Sequence, residues 1–257
     1  MKAALTFSLA GKVVLINGAG GGIGLAAAQA LASSGARLML SDVDAARGEA
    51  VLADFHALGL DARFAVCDVT QDDRVRGLLE VTVAQFGRID CAVNNAGIEH
   101  AHARLADHDD DDFDRAIAVN LKGVYLCLKH ELRQMLTQGG GVIVNVASVA
   151  GLGGAPLLGG YCASKHGVMG LTRTAAVEYA KRGIRVNAVC PSFVNTEMVP
   201  RMVARNPSLE TILTQVSPMQ RMGEPAEIGR AIAWLCADGS SFVNGQGLAL
   251  DDGLTAW

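Results

Sequence analysis

The sequence predicts an α/β fold, a doubly wound parallel sheet of about seven strands with helices on both faces. Three observations point there. Short runs rich in Val, Ile and Leu recur along the 257 residues, and they are continuously apolar, as strands buried on both faces are. A stretch of helical length separates each run from the next, which suits right-handed crossovers between parallel strands. The first run leads at once into a glycine cluster that opens a helix, an arrangement found at the ligand-binding edge of such sheets.

Taken in order, Val13–Ile16 is the first strand and Gly22–Ser34 an Ala-rich helix. Arg37–Leu40 is the second strand, followed by the helix Ala45–Leu58. Ala62–Cys67 is the third, followed by the helix Asp72–Phe86. Ile89–Val93 is the fourth, and one long helix, Asp111 to Leu136, comes after it. The acidic stretch 107–112 caps that helix, because carboxylates are favoured at a helix N-terminus. Gly141–Val146 is the fifth strand, Gly160–Tyr179 the next helix and Ile184–Val189 the sixth strand. Leu248–Leu250 supplies a seventh. All six prolines lie at or after Pro156, so irregular structure concentrates near residues 191–225. No repeat or low-complexity linker divides the chain, and residues 1–257 read as one Rossmann-like domain.

Composition narrows the function. The net charge is −4, with no basic face of the kind nucleic acids need. No apolar run approaches the roughly 18–20 residues that span a bilayer, and no signal peptide precedes the first strand. The six cysteines are scattered through mostly apolar runs without a C-x-x-C pair, so they read as reduced and the protein as cytoplasmic. Ala147-Ser148-Val149-Ala150-Gly151 is not the G-x-S-x-G elbow of a hydrolase. His100, His102 and His108 lie close in sequence, but their spacing does not define a metal site, and none is expected.

The loop Asn17-Gly18-Ala19-Gly20-Gly21-Gly22-Ile23-Gly24 sits between a strand and a helix. In that context Gly18 permits the tight turn, Gly22 lets the backbone approach a pyrophosphate, and Gly24 lets the helix pack closely. The anion would rest on the free N–H groups of the helix N-terminus. Asp42 closes the second strand, where a carboxylate accepts both ribose hydroxyls of NAD and repels a 2′-phosphate. No Lys or Arg lies in the loop to offset that repulsion, which favours NAD over NADP. Asp68, after the third strand, is placed to accept from an adenine amino group. Asn94-Asn95-Ala96-Gly97 ends the fourth strand beside the point where strand order reverses.

Ser148 follows a Val/Ile-rich strand, and Tyr161 and Lys165 are four apart, on one face of a helix. A phenol titrates near pH 10, so a nearby ammonium that lowers it by roughly 2–3 units makes Tyr161 a general acid/base near working pH.

These ordered motifs, with Asn120, the Pro191–Thr196 segment and Gly245-Gln246, closely resemble the short-chain dehydrogenase/reductase family over nearly the whole chain. The resemblance implies that Tyr161 is the catalytic acid/base and that Ser148 holds the substrate oxygen. Lys165 would lower the pKa of Tyr161 and bind the nicotinamide ribose. Asn120 would hold a water in a proton relay, from a break in its helix that a π-bulge or a short 3₁₀ turn provides. Cofactor contacts fall on Gly18, Gly22, Ile23, Gly24, Asp42, Asp68 and Val69, then on Asn95, Gly97, Tyr161, Lys165, Val194 and Thr196. The family also implies a homotetramer.

Four departures stand out. Asn17 replaces the usual Thr, Ser192 a Gly that matters if φ is positive there, and Asp252 a Gly near the C-terminus. Glu99 and His100 match no subgroup. The segment at about 195–222, with Met202, Leu209, Ile212, Leu213, Val216 and Met219, reads as an apolar lid. With Leu152, Leu157 and Leu158 it points to a hydrophobic alcohol or ketone, sterol-like or acyl. The expectation is an NAD-dependent dehydrogenase interconverting a secondary alcohol and a ketone. An NADPH-dependent 3-oxoacyl-thioester reductase and a non-catalytic dinucleotide sensor are the alternatives.

Overall fold

The computed structural model describes residues 7–197 and 216–256. Seven strands form one parallel sheet in the order β3-β2-β1-β4-β5-β6-β7. They are β1 (Val13–Asn17), β2 (Arg37–Asp42), β3 (Ala62–Val66), β4 (Cys91–Asn94), β5 (Gly141–Val146), β6 (Ile184–Pro191) and β7 (Gly247–Leu250). Every residue of β1 and β4 is buried, which is why these strands read as unbroken apolar runs.

Helices α1 (Gly22–Ser33), α2 (Ala45–Ala57), α3 (Asp72–Phe86), α4 (Asp110–Ala116), α5 (Gly123–Gln138), α6 (Gly159–Tyr179) and α7 (Pro225–Cys236) cover the sheet. Leu31 of α1, Phe55 of α2 and Ile228 and Ile232 of α7 share one core with Val14, Ile16 and Leu38. Val75 of α3, Leu128 of α5 and Val168 of α6 share the other with Leu15, Met39 and Ile143. Strand order reverses between β1 and β4, so a cleft opens at their C-terminal ends.

One expected break is present and one helix is new. The long helix expected from Asp111 to Leu136 is broken by a π-helical turn, Ile117–Lys122, between α4 and α5. Helix α7 was not anticipated, although its signals are in the sequence. Glu224 and Glu227 form a capping box around Pro225, and Ile228, Ile232 and Leu235 face the core.

Asp109 caps α4 as expected of the acidic stretch, accepting from the N–H of Asp112, and Asp44 caps α2 by accepting from that of Arg47. All six cysteines are free thiols. Among the described residues no helix is long and apolar enough to cross a membrane. Most of the expected lid, residues 198–215, lies outside the described residues. At its far end Val216 and Met219 are exposed.

Candidate active site

The site forms where β1, β4 and β5 end. Asn17, Asn94 and Asn145 stand in one row of the sheet, opposite one another across the three strands. Asn17 Nδ2 donates to Asn94 Oδ1 at 2.7 Å, and Asn94 Nδ2 to Asn145 Oδ1 at 3.0 Å. Asn17 Oδ1 accepts from the backbone N–H groups of Asn95 and Ala96. The asparagine in place of threonine therefore reaches across to the next strand instead of bonding locally. Sequence reasoning missed one member of this cluster, Glu131 of α5, which is 1% exposed and accepts from Asn94 Nδ2 at 2.9 Å. Burial pushes its carboxyl up to about 7.

The glycine loop is shaped by what it lacks. A Cβ on Gly24 would lie 2.0 Å from the carbonyl oxygen of Gly18, and one on Gly18 2.8 Å from Ala96 Cα. Asn95 Nδ2 donates to that same Gly18 carbonyl. Helix α1 starts at Gly22 with no side-chain cap and no acid in its first turn, which leaves its N–H groups and positive dipole end available to an anion. Asp42 lies beside the loop and accepts from the N–H groups of Gly20 and Asp44. Thr196 packs over Gly22. This cradle fits the pyrophosphate and ribose of a dinucleotide, and Ile23 lies in the first turn beneath it.

Asp68 spends both carboxylate oxygens on its own turn, accepting from Thr70 and Gln71. Val69 packs against Gly123 at the start of α5. Val194 is buried and pairs with Gly223. Ser192 does not adopt a positive φ, whereas Asp252 does, at 55°, and it accepts from Ser217. A short polar residue tolerates that left-handed conformation better than most.

The remaining site residues converge from three elements. Strand β5 delivers Ser148, whose hydroxyl accepts from the N–H of Ala150. Helix α6 delivers Tyr161 and Lys165, with Lys165 Nζ 5.6 Å from the centroid of the Tyr161 ring. The π turn delivers Asn120, fully buried, in the ladder break expected for it. Asn120 Oδ1 accepts from the N–H of Ile98, and its Nδ2 donates to the Ile98 carbonyl. Gly97 lies between Asn120 and Lys165, where a Cβ would be 3.3 Å from one and 3.6 Å from the other.

In the dinucleotide-free protein, desolvation opposes the lowering of the phenol expected from Lys165. Burial pushes the Tyr161 phenol up to about 12; a hydrogen bond with Ser148 pulls the other way, and the Glu99 carboxylate adds to the rise. Lys165 does not offset this. It is itself desolvated, held down to about 8, and its Nζ donates to the Val146 carbonyl at 2.8 Å. Desolvation disfavours the charged form of each group, although an ammonium at about 8 still carries its charge at neutral pH.

A family model described as "Enoyl-(Acyl carrier protein) reductase" matches residues 18–255. The chain belongs to the short-chain dehydrogenase/reductase family. This family uses nicotinamide dinucleotides. The chain is 42% identical over 249 residues to 2,5-dichloro-2,5-cyclohexadiene-1,4-diol dehydrogenase of Sphingobium indicum, covering 96% of this chain and 98% of that one. It is 41% identical to cis-4-hydroxycyclohexanecarboxylate dehydrogenase of Sinomonas cyclohexanicum, with 97% and 98% covered. It is 40% identical to the 3-oxoacyl-(acyl-carrier-protein) reductase of Thermotoga maritima, with 96% and 98% covered. The crystal structure of levodione reductase superposes with a TM-score of 0.93 at 40% identity, over 96% of this chain and 98% of that one. NAD+-bound xylitol dehydrogenase gives 0.92 at 38% identity, over 95% and 99%.

Proposed function

We propose that this protein is an NAD-dependent dehydrogenase interconverting a secondary alcohol and a ketone on a small, mainly apolar ring. The observation that carries the reading is the meeting of Ser148, Tyr161 and Lys165, linked to the glycine loop by Ala96 against Gly18 and Gly97 against Lys165. Ser148 and Tyr161 hold the substrate oxygen. In oxidation the Tyr161 oxygen takes the hydroxyl proton, and in reduction it returns one. Lys165 keeps positive charge beneath the phenol ring, and Asn120 anchors the adjoining Ile98 backbone. The bound dinucleotide supplies the hydride acceptor or donor and, when oxidised, a positive ring that favours the phenolate. Asp42 favours NAD, because its carboxylate repels a 2′-phosphate.

Two relatives named for cyclohexadiene and cyclohexane compounds support a ring-sized substrate over a sterol. Leu152 and Leu157, both part-exposed, support an apolar one. The exposed apolar side chains of Tyr125 and Val177 support the homotetramer; a monomeric mass in native mass spectrometry would remove it.

A second reading, an NADPH-dependent 3-oxoacyl-thioester reductase, draws support from the Thermotoga relative and from a phenol held protonated, ready to act as an acid. Measuring kcat/KM with NAD and NADP on wild type and Asp42→Ala separates the two. We expect wild type to prefer NAD and Asp42→Ala to lose about tenfold or more of that preference, the equivalent of ~1.4 kcal/mol. Wild-type preference for NADP with a 3-oxoacyl thioester, and no turnover of cyclic alcohols, would install the second reading.

A further inference from the structure

We propose that His100 is a positioning residue for Tyr161: its neutral imidazole, protonated on Nδ1, closes the open N-terminus of α6. The inference rests on the reading of Tyr161 as the acid/base.

Helix α6 begins at Gly159 without a side-chain cap from Leu158 and without an acid in its first turn. Cys162 is the first residue whose N–H finds a carbonyl one turn back, that of Leu158 at 2.8 Å. The preceding N–H, that of Tyr161 itself, donates to His100 Nε2 at 2.9 Å. His100 is only 6% exposed and comes from the loop after β4. That loop is strapped to the entrance of α6, where Ala103 pairs with Leu158 and its N–H donates to the Leu157 carbonyl. Gly160 makes room for the ring, since a Cβ there would lie 3.3 Å from Nε2.

The surrounding bonds fix the tautomer. An amide N–H only donates, so Nε2 presents its lone pair and Nδ1 carries the proton. Nδ1 faces the Ala101 carbonyl at 2.7 Å and His108 Nε2 at 3.1 Å. Both accept, provided His108 holds its own proton on Nδ1, which faces the Asp109 carbonyl. The two rings meet edge to face, 4.2 Å between centroids. Every polar atom of both imidazoles is thus accounted for, and the chain of donors runs from the Tyr161 N–H through His100 and His108 to the Asp109 carbonyl.

Losing this acceptor frees the first turn of α6 and lets the phenol drift from Ser148, and a displacement of about 1 Å costs on the order of a hundredfold in rate. His100→Phe keeps the ring shape without the acceptor, and His100→Gln restores an acceptor. Both are compared with wild type and Tyr161→Phe by NADH formation from cyclohexanol, cis-4-hydroxycyclohexanecarboxylate and xylitol. Hydrogen exchange of the Tyr161 amide and ¹⁵N NMR of the imidazoles are read without substrate or dinucleotide.

We expect the Nδ1–H tautomer at His100, and faster Tyr161 amide exchange in the Phe variant alone. Its kcat should fall about 10–100-fold with KM for NAD within about threefold, and Gln should recover most of the loss. An Nε2–H tautomer, an unchanged kcat in His100→Phe, or a Gln variant as impaired as the Phe variant would each overturn the proposal. If Tyr161→Phe is inactive while His100→Phe is normal, the positioning role alone fails. If Tyr161→Phe retains turnover, the acid/base reading fails, and the positioning role with it. Should His100→Phe not fold, the tautomer in wild type and the amide protection and rate of His100→Gln decide the matter.

Discussion

The two ends of the site are built in opposite ways. Around Gly18–Gly24 the cleft is shaped by side chains that are absent, and the groups proposed to bind the dinucleotide are backbone N–H groups at the start of α1. Around Tyr161 it is shaped by side chains that are present and buried, with Lys165 4% exposed and Asn120 fully enclosed. The first end is a steric solution, in which affinity depends on the backbone passing where a Cβ cannot. The second is an electrostatic one, in which groups are held away from water and their charged states are disfavoured by burial. Binding and chemistry should therefore fail separately when each end is altered.

The largest effect is expected at the chemical end. Tyr161→Phe removes the group proposed to exchange the proton while keeping the ring that packs beside Lys165. Turnover should fall by about a thousandfold or more, roughly 4 kcal/mol, at unchanged dinucleotide affinity. Titration by quenching of tryptophan fluorescence checks the affinity, and activity within about tenfold of wild type would displace Tyr161 from its role. The wild-type pH profile adds a sign. A phenol at about 12 in the dinucleotide-free protein is an acid at neutral pH, so oxidation should quicken as pH rises and the phenolate fraction grows.

Lys165→Met sharpens the same end from the side of stability. A base whose folded pKa is about 8 instead of the ordinary 10.5 is held more tightly protonated in the unfolded chain. Its penalty is fully present below pH 8 and disappears as pH rises toward 10.5. Removing it should destroy turnover yet stabilise the fold at pH 7 by about 2–3 kcal/mol, a gain that shrinks in alkali. Urea melts at pH 7 and pH 10 measure this. A loss of stability at both would show that the Lys165–Val146 bond outweighs desolvation.

Gly24→Ala tests the steric end. The new Cβ cannot occupy a point 2.0 Å from the Gly18 carbonyl, so either the loop or α1 must move. Dinucleotide affinity should drop by about a hundredfold, roughly 2.7 kcal/mol, while β5 and α6 keep their geometry. Unchanged affinity would mean that the loop yields without consequence.

The two ends were also unequally legible in the sequence. The glycine loop declared itself, because only glycine meets the steric demand at Gly18 and Gly24, and a strand and a helix flank it. Ser148, Tyr161 and Lys165 were legible through spacing and resemblance, but their electrostatics were not. Whether Lys165 lowers the phenol depends on burial of both groups, which no spacing conveys. His100 and Glu131 were illegible for a related reason. Each acts on a residue far along the chain, 61 positions away for His100 and Tyr161 and 37 for Glu131 and Asn94. Helix α7 was readable from Glu224-Pro225 and the spacing of Ile228, Ile232 and Leu235, and the concentration of prolines before it obscured it.

The smallest expected effect lies between the two ends, at Glu131. This carboxyl is enclosed by the core under α5 and bonded to the asparagine that joins β4 to β1 and β5. Its folded pKa, about 7, stands above the ordinary 4.5, so the folded state holds the proton more tightly than the unfolded chain. The neutral acid therefore costs nothing below pH 4.5, and stability is lost as pH rises from 4.5 through 7. Glu131→Gln keeps an uncharged side chain of the same length at every pH. It should match wild type near pH 4.5 and exceed it by about 1–2 kcal/mol at pH 8, after allowance for relaxation around a buried charge. Because Glu131 touches neither the glycine loop nor Tyr161, dinucleotide affinity and turnover should both stay within about twofold. A variant weaker than wild type at pH 8 would mean that Asn94 needs the full negative charge to hold the row of asparagines. In that case the two ends would share an electrostatic foundation rather than standing apart.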